Sequence, residues 1–306
     1  MALTLEQRIA RKSGIGGSDV AAIFGLPNPA KKTPLDIFFD KTDEEEPEVE
    51  VVNEDQEWGN LLEGAIRRKY ELEIGKPVSV PPKHTHPKYE WMLGNVDGID
   101  DEGVIAEFKN VHLGMAKYWG EQDTDDMPEC YLYQCAHYRI VFDAPRVNLR
   151  ALFGGSSYRK YTYHKNEKLE KLIIEGTRAF WYDYVKANVM PPFQTYDDVY
   201  GVYPISDPAL VKTADSAMIL AVQRLRDLGN ESKRFDKEKY LIKKFIAAKM
   251  GSCEKLVDLD GNELLSWKSQ SANRFDTAKF KELHPDLYKQ FTRSSDSRVF
   301  RLKGEK

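Results

Sequence analysis

The segment from Leu93 to Lys109, LGNVDGIDDEGVIAEFK, constrains the fold more than any other part of the chain. It predicts two short strands joined by a tight acidic turn that contains glycine. Because side chains alternate along a strand, Glu107 and Lys109 share one face, while Phe108 points the other way into a core. The hairpin would bring Asp97 of the first strand beside Glu107. Two carboxylates and one ammonium group are therefore predicted to meet at one point of a sheet.

This group of charges suits a hard divalent cation. Mg²⁺ and Mn²⁺ take oxygen ligands, bind through one or two carboxylates and keep water molecules for a phosphate substrate. An adjacent lysine can hold or polarise the attacking water, so the set favours metal-dependent hydrolysis of phosphodiesters. The same spacing also fits an ordinary solvated strand face, and the hairpin alone does not decide between the two.

The composition restricts the class of protein. Of the 306 residues, 41% are apolar and 31% are charged, as in soluble globular proteins. Neither a signal peptide nor an apolar run of about 18 residues is present, so no association with a membrane is expected. Cys130, Cys135 and Cys253 are too few for a disulfide framework or a four-thiolate cluster. We interpret them as reduced thiols of a cytoplasmic protein.

The net charge of −4 is divided unequally along the chain. Residues 1–210 hold 24 basic and 35 acidic side chains, and much of the acid lies between Asp40 and Glu57. That acidic run predicts a solvated loop. Residues 211–306 hold 21 basic and 14 acidic side chains. The C-terminal part is therefore a candidate phosphate-binding surface, although lysine-rich helices are also often merely solvated.

The first 190 residues alternate predicted helices and strands. The glycine-rich SGIGGSD leads into a helix capped at or near Ser18, and Thr33 with Pro34 opens another helix that runs to Phe39. Further helices are predicted at 3–12, 54–72, 127–142 and 169–184, and strands at 77–80, 90–100, 104–110, 147–153 and 159–163.

The pattern changes after residue 190. Four prolines in the segment 191–208 predict a linker. Beyond it we predict two helices in an antiparallel hairpin, 208–228 and 233–250, separated by Gly229 and Asn230. A β-hairpin at 255–268, a helix at 277–283 and a strand at 299–302 complete a small basic α+β unit.

Six segments occur in the order and spacing of a known family. They are GIGGSDVAAIFG, TPLDIFF, WGNLLEGAIRRKYE, GNVDG, EFK and YLYQCAHYRIVF. Over about residues 8–190 the chain resembles the YqaJ-like viral recombinases, relatives of phage lambda exonuclease in the PD-(D/E)xK nuclease superfamily. The segments KMGSCEKLVDLDGNELLSWK and RFDTAKFKELHPDLY also resemble the fuller phage members. The resemblance implies an α/β, restriction-endonuclease-like core at 1–190, a central mixed sheet flanked by helices, with a small helical and α+β extension at 209–306.

The resemblance also implies roles for single residues. GNVDG places Asp97 at the metal-binding aspartate of the family. EFK places Glu107 at its metal-binding glutamate and Lys109 at its catalytic lysine. The main-chain carbonyl of Phe108 would be a further ligand of Mg²⁺, for which Mn²⁺ could substitute.

Five further residues complete the implied site. Glu63 in WGNLLEGAIRRKYE and Gln134 in YLYQCAHY match family residues that support catalysis. Arg11 and Ser18 match the pair that binds the 5′-phosphate of DNA in lambda exonuclease. Asn95 stands where the family often has Ser or Ala, and its amide could still donate to phosphate. Without the resemblance, these residues also fit structural roles. Glu63 could face solvent, Gln134 could be buried and bonded to backbone, Arg11 could be a surface residue and Ser18 could cap the helix.

The function implied is a Mg²⁺-dependent 5′-to-3′ exonuclease acting on linear double-stranded DNA. Its 3′ single strands would serve homologous recombination through a single-strand annealing protein of the RecT or Red beta kind, and the enzyme would be a ring-forming homo-oligomer, a trimer by resemblance. The alternatives are a PD-(D/E)xK endonuclease, a Cas4-like nuclease and a non-catalytic DNA-binding recombination subunit. Cas4-like proteins usually have four cluster-binding cysteines, and this chain has three.

Overall fold

A computed structural model of the chain describes residues 11–43, 54–294 and 297–303. The chain divides into two compact units, Met1–Val199 and Tyr200–Lys306. The division falls inside the proline-containing segment 191–208, where a short helix occupies Tyr196–Val202. The helix predicted at 3–12 lies mostly outside the described residues.

The first unit combines helices and strands throughout. Its described helices are α1 (Gly17–Ile23), α2 (Pro34–Thr42), α3 (Glu54–Ile74), α4 (Glu129–Phe142), α5 (Glu167–Ala179) and α6 (Tyr196–Val202). Its described strands are β1 (His84–Thr85), β2 (Leu93–Gly94), β3 (Gly98–Ile99), β4 (Ile105–Val111), β5 (Arg146–Phe153) and β6 (Ser157–His164). A 3₁₀ helix at Leu113–Tyr118 follows β4, and a π-helical segment at Phe180–Lys186 continues α5.

A mixed four-stranded sheet in the order β3-β4-β5-β6 forms the centre of the first unit. β4 and β5 are parallel, whereas β3 and β6 pair antiparallel with their neighbours. Parallel neighbours need a long crossover connection, which here contains α4. This topology confirms the predicted α/β core with a central mixed sheet flanked by helices.

Helix α3 covers one face of the sheet with its C-terminal half. Ile66 and Tyr70 are buried there in a cluster that includes Phe108 of β4. The first turn is acidic, which complements the positive end of the helix dipole. Gly75 follows the helix with φ of +71°, a conformation that glycine adopts without strain. The same helix has an exposed N-terminal part, and Glu63 lies between the two halves.

Helix α4 covers the opposite face of the sheet and is enclosed on several sides. The eight consecutive residues from Gln134 to Val141 are all buried. Such a run exceeds one helical face, so α4 must be covered by other helices as well as by the sheet. Helices α1 and α5 pack against it. Polar side chains of α4 are thereby held inside the protein.

Two strands predicted in the first unit differ in the structure. The segment 90–100 is not one strand, because β2 pairs with β1 while β3 pairs with β4. The chain changes partner between Gly94 and Gly98. The strand predicted at 77–80 is reduced to a single bridge between Ser79 and Ile99. Prolines at both ends of that segment lack the N–H group that a ladder requires.

The second unit is described by itself. It contains α7 (Ser216–Met250), β7 (Lys255–Val257), β8 (Glu263–Ser266), α8 (Thr277–Leu283) and α9 (Pro285–Gln290). The antiparallel pair β7–β8 confirms the predicted hairpin, with Gly261 at φ of +84° in its turn. The helix at Thr277–Leu283 is also confirmed. The strand predicted at 299–302 was wrong: the described residues 297–303 form no strand.

The predicted pair of helices at 208–228 and 233–250 was also wrong, because α7 is one continuous helix of 35 residues. It starts after Asp215, whose side chain accepts a hydrogen bond from the N–H of Met218 at 2.8 Å. Gly229 costs about 1 kcal/mol in a helix interior, but it keeps its N–H group and so does not end the helix. Among the described helices, none is long and apolar enough to cross a membrane.

Gly229 within α7 and Gly251 directly after it give opposite expectations for substitution by alanine. Gly229→Ala should raise helix content and stabilise the protein by about 0.5–1 kcal/mol, because alanine loses less backbone entropy in a helix. Gly251→Ala should destabilise it, since Gly251 ends the helix at φ of +56°. Far-UV circular dichroism during thermal unfolding measures both. Destabilisation by Gly229→Ala would indicate a turn at that position.

Candidate active site

Asp100 organises the turn that joins β3 to β4. Its Oδ1 accepts hydrogen bonds from the backbone N–H groups of Glu102 and Val104, each at 2.9 Å. Gly103 completes the turn with φ of +76°. Lys76 pairs with Asp100 at 3.1 Å and with Glu102 at 3.0 Å. The acidic turn is therefore a locally bonded structure that fixes the pairing of the two strands.

The register of this hairpin places Asp97 next to β4. Gly98 pairs with Ala106 in the antiparallel ladder, so Asp97 lies at the level of Glu107. The Oδ2 atom of Asp97 accepts a hydrogen bond from the backbone N–H of Phe108 at 2.7 Å. The structure thus brings together the two carboxylates that the sequence pattern pairs.

Glu107 is the most enclosed acidic residue of the group, with 2% of its surface exposed. Its Oε1 lies 2.7 Å from Lys109 Nζ and accepts a hydrogen bond from Gln134 Nε2 at 2.8 Å. Its Oε2 is buried and has no hydrogen-bond partner among the described residues. Oε1 of this carboxylate therefore has two partners, Lys109 and Gln134, whereas Oε2 has none among the described residues.

The charges of the three residues are strongly coupled. Burial, together with the nearby Asp97 carboxylate, raises the pKa of Glu107 to about 8, against the opposing effect of Lys109. Burial also raises the pKa of Asp97 above its ordinary value. Burial disfavours the ammonium form of Lys109, but Glu107 and Asp97 outweigh it and raise the pKa of Lys109. Lys109 is accordingly a cation, and it faces two carboxylates.

Gln134 is held in place by α4 and α1. Its Nε2 also donates to the hydroxyl of Tyr138, one turn later on α4, at 3.2 Å. The ring of Tyr138 occupies the space where a side chain at position 17 would lie, since a Cβ atom on Gly17 would come within 2.5 Å of Cε1. Gly17, the first residue of α1, therefore lets Tyr138 approach, and Tyr138 positions the amide that binds Glu107.

Glu63 supports the site from α3. Its Oε1 lies 2.6 Å from Arg67 Nη2, which also donates to the main-chain carbonyl of Asp97 at 3.0 Å. Burial and the Asp97 carboxylate raise the pKa of Glu63, and Arg67 opposes them. Glu63 is thus close enough to sense the charge of Asp97, and Arg67 ties the two segments together.

These residues fit a divalent cation. Asp97 and Glu107 provide two carboxylates, and no described residue gives the buried Oε2 of Glu107 the donor that a buried oxygen ordinarily has. Mg²⁺ needs only one or two protein carboxylates, because water and substrate phosphates supply its other ligands. In the described part of the chain, no three His, Cys, Asp or Glu side chains form a larger metal-binding group. The side chain of Phe108 packs against Tyr70 in the core, so only its main chain is available to a metal.

The residues expected to bind a 5′-phosphate lie around the start of α1. Ser18 is exposed on the first turn and is not the N-cap, which is Gly16. The N–H of Gly16 donates to Asp19 at 3.0 Å, and Lys41 Nζ bonds both Asp19, at 2.7 Å, and the carbonyl of Arg11, at 2.9 Å. Arg11 itself is exposed. Lys41 thereby anchors Arg11 beside the glycine-rich segment.

Asn95 is exposed, two residues before Asp97. Within the described ranges, no hydrogen bond or ion pair joins Arg11, Ser18 or Asn95 to Asp97 or Glu107. The structure therefore assembles Asp97, Glu107, Lys109, Gln134 and Glu63 into one connected group. The three expected phosphate-binding residues remain outside that network.

Sequence reasoning missed three residues that contact this group. Arg67 and Tyr138 each lie four positions after a predicted site residue, Glu63 and Gln134, on the same helix. Residues four apart share a helical face, so this spacing could have identified both. Tyr131 places its ring 5.4 Å from Lys109 Nζ in a cation–π contact, which no sequence pattern indicates.

The raised pKa of Glu107 predicts how stability depends on pH without added metal. The folded protein binds a proton at Glu107 up to about pH 8, whereas the unfolded chain releases it near pH 4.5. The free energy of unfolding in EDTA should therefore fall as pH rises through this window. Glu107→Gln should remove that component, and Glu175→Gln, an exposed control, should retain it. Thermal unfolding between pH 5 and pH 9 measures this, and identical slopes in Glu107→Gln and the unmodified protein would contradict it.

Part of the chain matches a known sequence family, and most of it matches one curated protein. Residues 8–145 match the family described as YqaJ-like viral recombinase domain. The uncharacterized protein YqaJ of Bacillus subtilis (strain 168) is 27% identical over 313 residues, which cover 97% of this chain and 93% of that protein. The match includes both units of the chain.

Solved structures resemble the chain in fold. LHK-Exo in complex with dAMP aligns with a TM-score of 0.50 at 17% identity, over 60% of this chain and 94% of that chain. A second structure of LHK-Exo, an alkaline exonuclease from Laribacter hongkongensis, aligns over the same shares with a TM-score of 0.48 at 17% identity. The sheet topology and this likeness identify the core as a PD-(D/E)xK fold. Residues 8–145 of this chain are thus similar to the YqaJ-like viral recombinase domain family.

Proposed function

We propose that this protein is a Mg²⁺-dependent deoxyribonuclease that digests linear double-stranded DNA from its 5′ ends and leaves 3′ single strands. The observation that carries the proposal is the buried Oε2 of Glu107, which has no donor among the described residues and belongs to a carboxylate at the level of Asp97. A lone buried carboxylate oxygen is costly unless a cation or a donor reaches it. The likeness to LHK-Exo, an alkaline exonuclease, supports the choice of a nuclease.

Different residues of the site would carry out different parts of the reaction. Asp97, Glu107 and the carbonyl of Phe108 would hold the metal ion, which when bound supplies Lewis-acid charge at the scissile phosphate. The raised pKa of Lys109 keeps it protonated, so it acts by donating hydrogen bonds and by charge, not as a base. Its ammonium group can orient the attacking water and stabilise negative charge that develops on phosphate.

Gln134 and Glu63 would act indirectly, by positioning the residues that bind the metal ion. Gln134 fixes the rotamer of Glu107 through the hydrogen bond to Oε1, which leaves Oε2 directed away from that amide. Glu63 holds Arg67 against the carbonyl of Asp97. Both contacts reduce the freedom of the two carboxylates, and such preorganisation is what a catalytic metal site requires.

The end of the DNA would be recognised by Arg11 and Ser18, with Asn95 as a further phosphate donor. Arg11 is exposed beside the start of α1. Burial opposes ionisation of Asp19, but Lys41 and, to a smaller extent, Arg11 lower its pKa. A guanidinium group binds phosphate through paired, charge-assisted hydrogen bonds. A 5′-phosphate held there would set the direction of digestion.

Further properties are proposed from the family resemblance. The 3′ single strands would be taken up by a single-strand annealing protein of the RecT or Red beta kind. The enzyme would form a ring-shaped homo-oligomer around DNA and act in the cytoplasm of a bacterium or a phage-infected host.

Digestion of end-labelled linear duplex DNA, with and without Mg²⁺, tests the proposed function. We expect mononucleotides from the 5′ ends only with Mg²⁺, and no cleavage of closed circular DNA. Cleavage of the circle would indicate an endonuclease instead. Binding without cleavage at any Mg²⁺ or Mn²⁺ concentration would indicate a non-catalytic subunit.

Removal of either carboxylate should abolish hydrolysis. Asp97→Ala and Glu107→Ala should each lose activity and weaken Mg²⁺ or Mn²⁺ binding in calorimetry, because each removes a metal ligand. DNA binding should remain largely intact. The control is Asp101→Ala, which lies in the adjacent exposed turn and should keep both properties. Unchanged metal binding in both variants would overturn the ligand assignment.

Lys109→Ala should lower turnover at least a hundredfold, in the range of about 10² to 10⁴ for a positioned proton-donating or charged group. Metal affinity should change little, because an ammonium group is not a ligand. Single-turnover rates and calorimetry separate the two effects. Lys160→Ala, a substitution on the edge strand β6, is the matched control. A rate near that of the unmodified protein would remove Lys109 from the mechanism.

Arg11→Ala should erase a preference for phosphorylated 5′ ends while leaving Mg²⁺ binding unchanged. The unmodified protein should digest a 5′-phosphorylated duplex faster than a 5′-hydroxyl duplex, since the dianion binds the guanidinium group. Arg68→Ala, which removes an exposed arginine of α3, should preserve the preference. Equal rates on the two ends with the unmodified protein would contradict a 5′-phosphate site.

A further inference from the structure

The second unit buries very little of its own apolar surface. Among its described residues, only Met250 is buried. Helix α7 has 35 residues and is about 52 Å long at 1.5 Å per residue. Helices in proteins gain most of their stability from packing of an apolar face, yet apart from Met250 the apolar residues of α7 are exposed or only half-buried. The exposed apolar residues of α7 therefore indicate that another segment packs against this helix.

Part of the apolar surface of α7 follows a heptad repeat. Steps of three and four residues, or their sum of seven, connect the members of what we call the heptad stripe: Met218, Ala221, Leu225, Leu228, Phe235, Ile242 and Ile246. Ser232, Lys239 and Lys249 occupy the remaining positions of the repeat. Leu225 is 41% exposed and Ile242 is 52% exposed. A repeat sustained over more than four heptads is the pattern of a helix that pairs with another long helix.

We propose that α7 pairs antiparallel with α7 of a second copy of this chain. In an antiparallel pair centred between Ser232 and Phe235, each polar position of the stripe faces an apolar one. Lys239 would face Leu228, and the aliphatic stem of the lysine can cover leucine while its charge reaches water. In a parallel pair, Lys239 would face its own copy, and so would Ser232. The antiparallel arrangement is therefore favoured, because it is the one in which no polar residue of the stripe faces its own copy.

The distribution of charged residues along α7 also favours the antiparallel orientation. Residues 216–232 contain two basic and two acidic side chains, whereas residues 233–250 contain seven basic and two acidic side chains. A parallel pair would place the two basic halves side by side, which is unfavourable between like charges. An antiparallel pair places each basic half against a neutral one. A second copy in this orientation thus satisfies both the apolar pattern and the charge.

Adjacent residues of α7 provide a matched test on the full-length chain. Ile242 lies on the heptad stripe, and Leu241 lies off it with a similar exposure of 54%. Light scattering during size-exclusion chromatography should give Ile242→Asp half the mass of the unmodified protein. Leu241→Asp should leave the mass unchanged. Far-UV circular dichroism confirms that both variants fold. The halving is expected whether or not the first unit also forms a ring.

Cysteine cross-linking tests the direction independently of any loss of folding. In a Cys253→Ser background, Leu225→Cys and Ile242→Cys should each fail to form a disulfide-linked dimer alone. A mixture of the two variants should form the mixed dimer, because positions 225 and 242 face each other in the antiparallel register. Cross-linking of each variant with itself would indicate a parallel pair and overturn the proposal.

If something other than a second copy packs against the heptad stripe, measurements on Ile242→Asp give different results. A mass that Ile242→Asp does not change would exclude a second copy. Amide hydrogen exchange that is slow along α7 in such a monomer would place another segment of the same chain on the stripe. Loss of duplex DNA affinity in Ile242→Asp without a change of mass would assign the helix to DNA. Each of these outcomes overturns the proposal.

Discussion

The buried carboxylate of Glu107 is the constraint on which the centre of the first unit depends. A charge removed from water must be compensated by donors or opposite charges, and Lys109 and Gln134 compensate only one of its two oxygens. Asp97 adds a second negative charge nearby, so one ammonium group faces two carboxylates. The raised pKa of Glu107 reflects this imbalance. A divalent cation would add positive charge where two carboxylates now face a single ammonium group, and it could reach the oxygen of Glu107 that no described residue bonds.

The two carboxylates are held from opposite sides of the site. On one side, Gln134 bonds Glu107 and is itself fixed by Tyr138, which packs where Gly17 has no side chain. On the other side, Arg67 connects Glu63 to the main chain of Asp97. Helices α4 and α3 therefore act as supports rather than as mere cover for the sheet. This explains why glycine is needed as the first residue of α1, far in sequence from the acidic residues.

The two units follow different physical rules. The first buries a sheet between helices and so has a core of its own. The second exposes almost all of its described apolar residues, and its long helix contains the heptad stripe. A segment of this kind gains stability by pairing, so its structure is tied to what it binds.

Local chemistry in the sequence determined the hairpin, the alternation that separates Glu107 from Phe108, and the helix around Glu63, because these depend on neighbouring residues. The six ordered segments determined the family. Only the tertiary structure decided that α7 is continuous, since one glycine is too weak a signal to end a helix. It also decided that Arg67, Tyr138 and Tyr131 contact the site, and that one oxygen of Glu107 has no donor in the described part of the chain. Those facts depend on packing between segments far apart in the chain, which periodicity and spacing do not record.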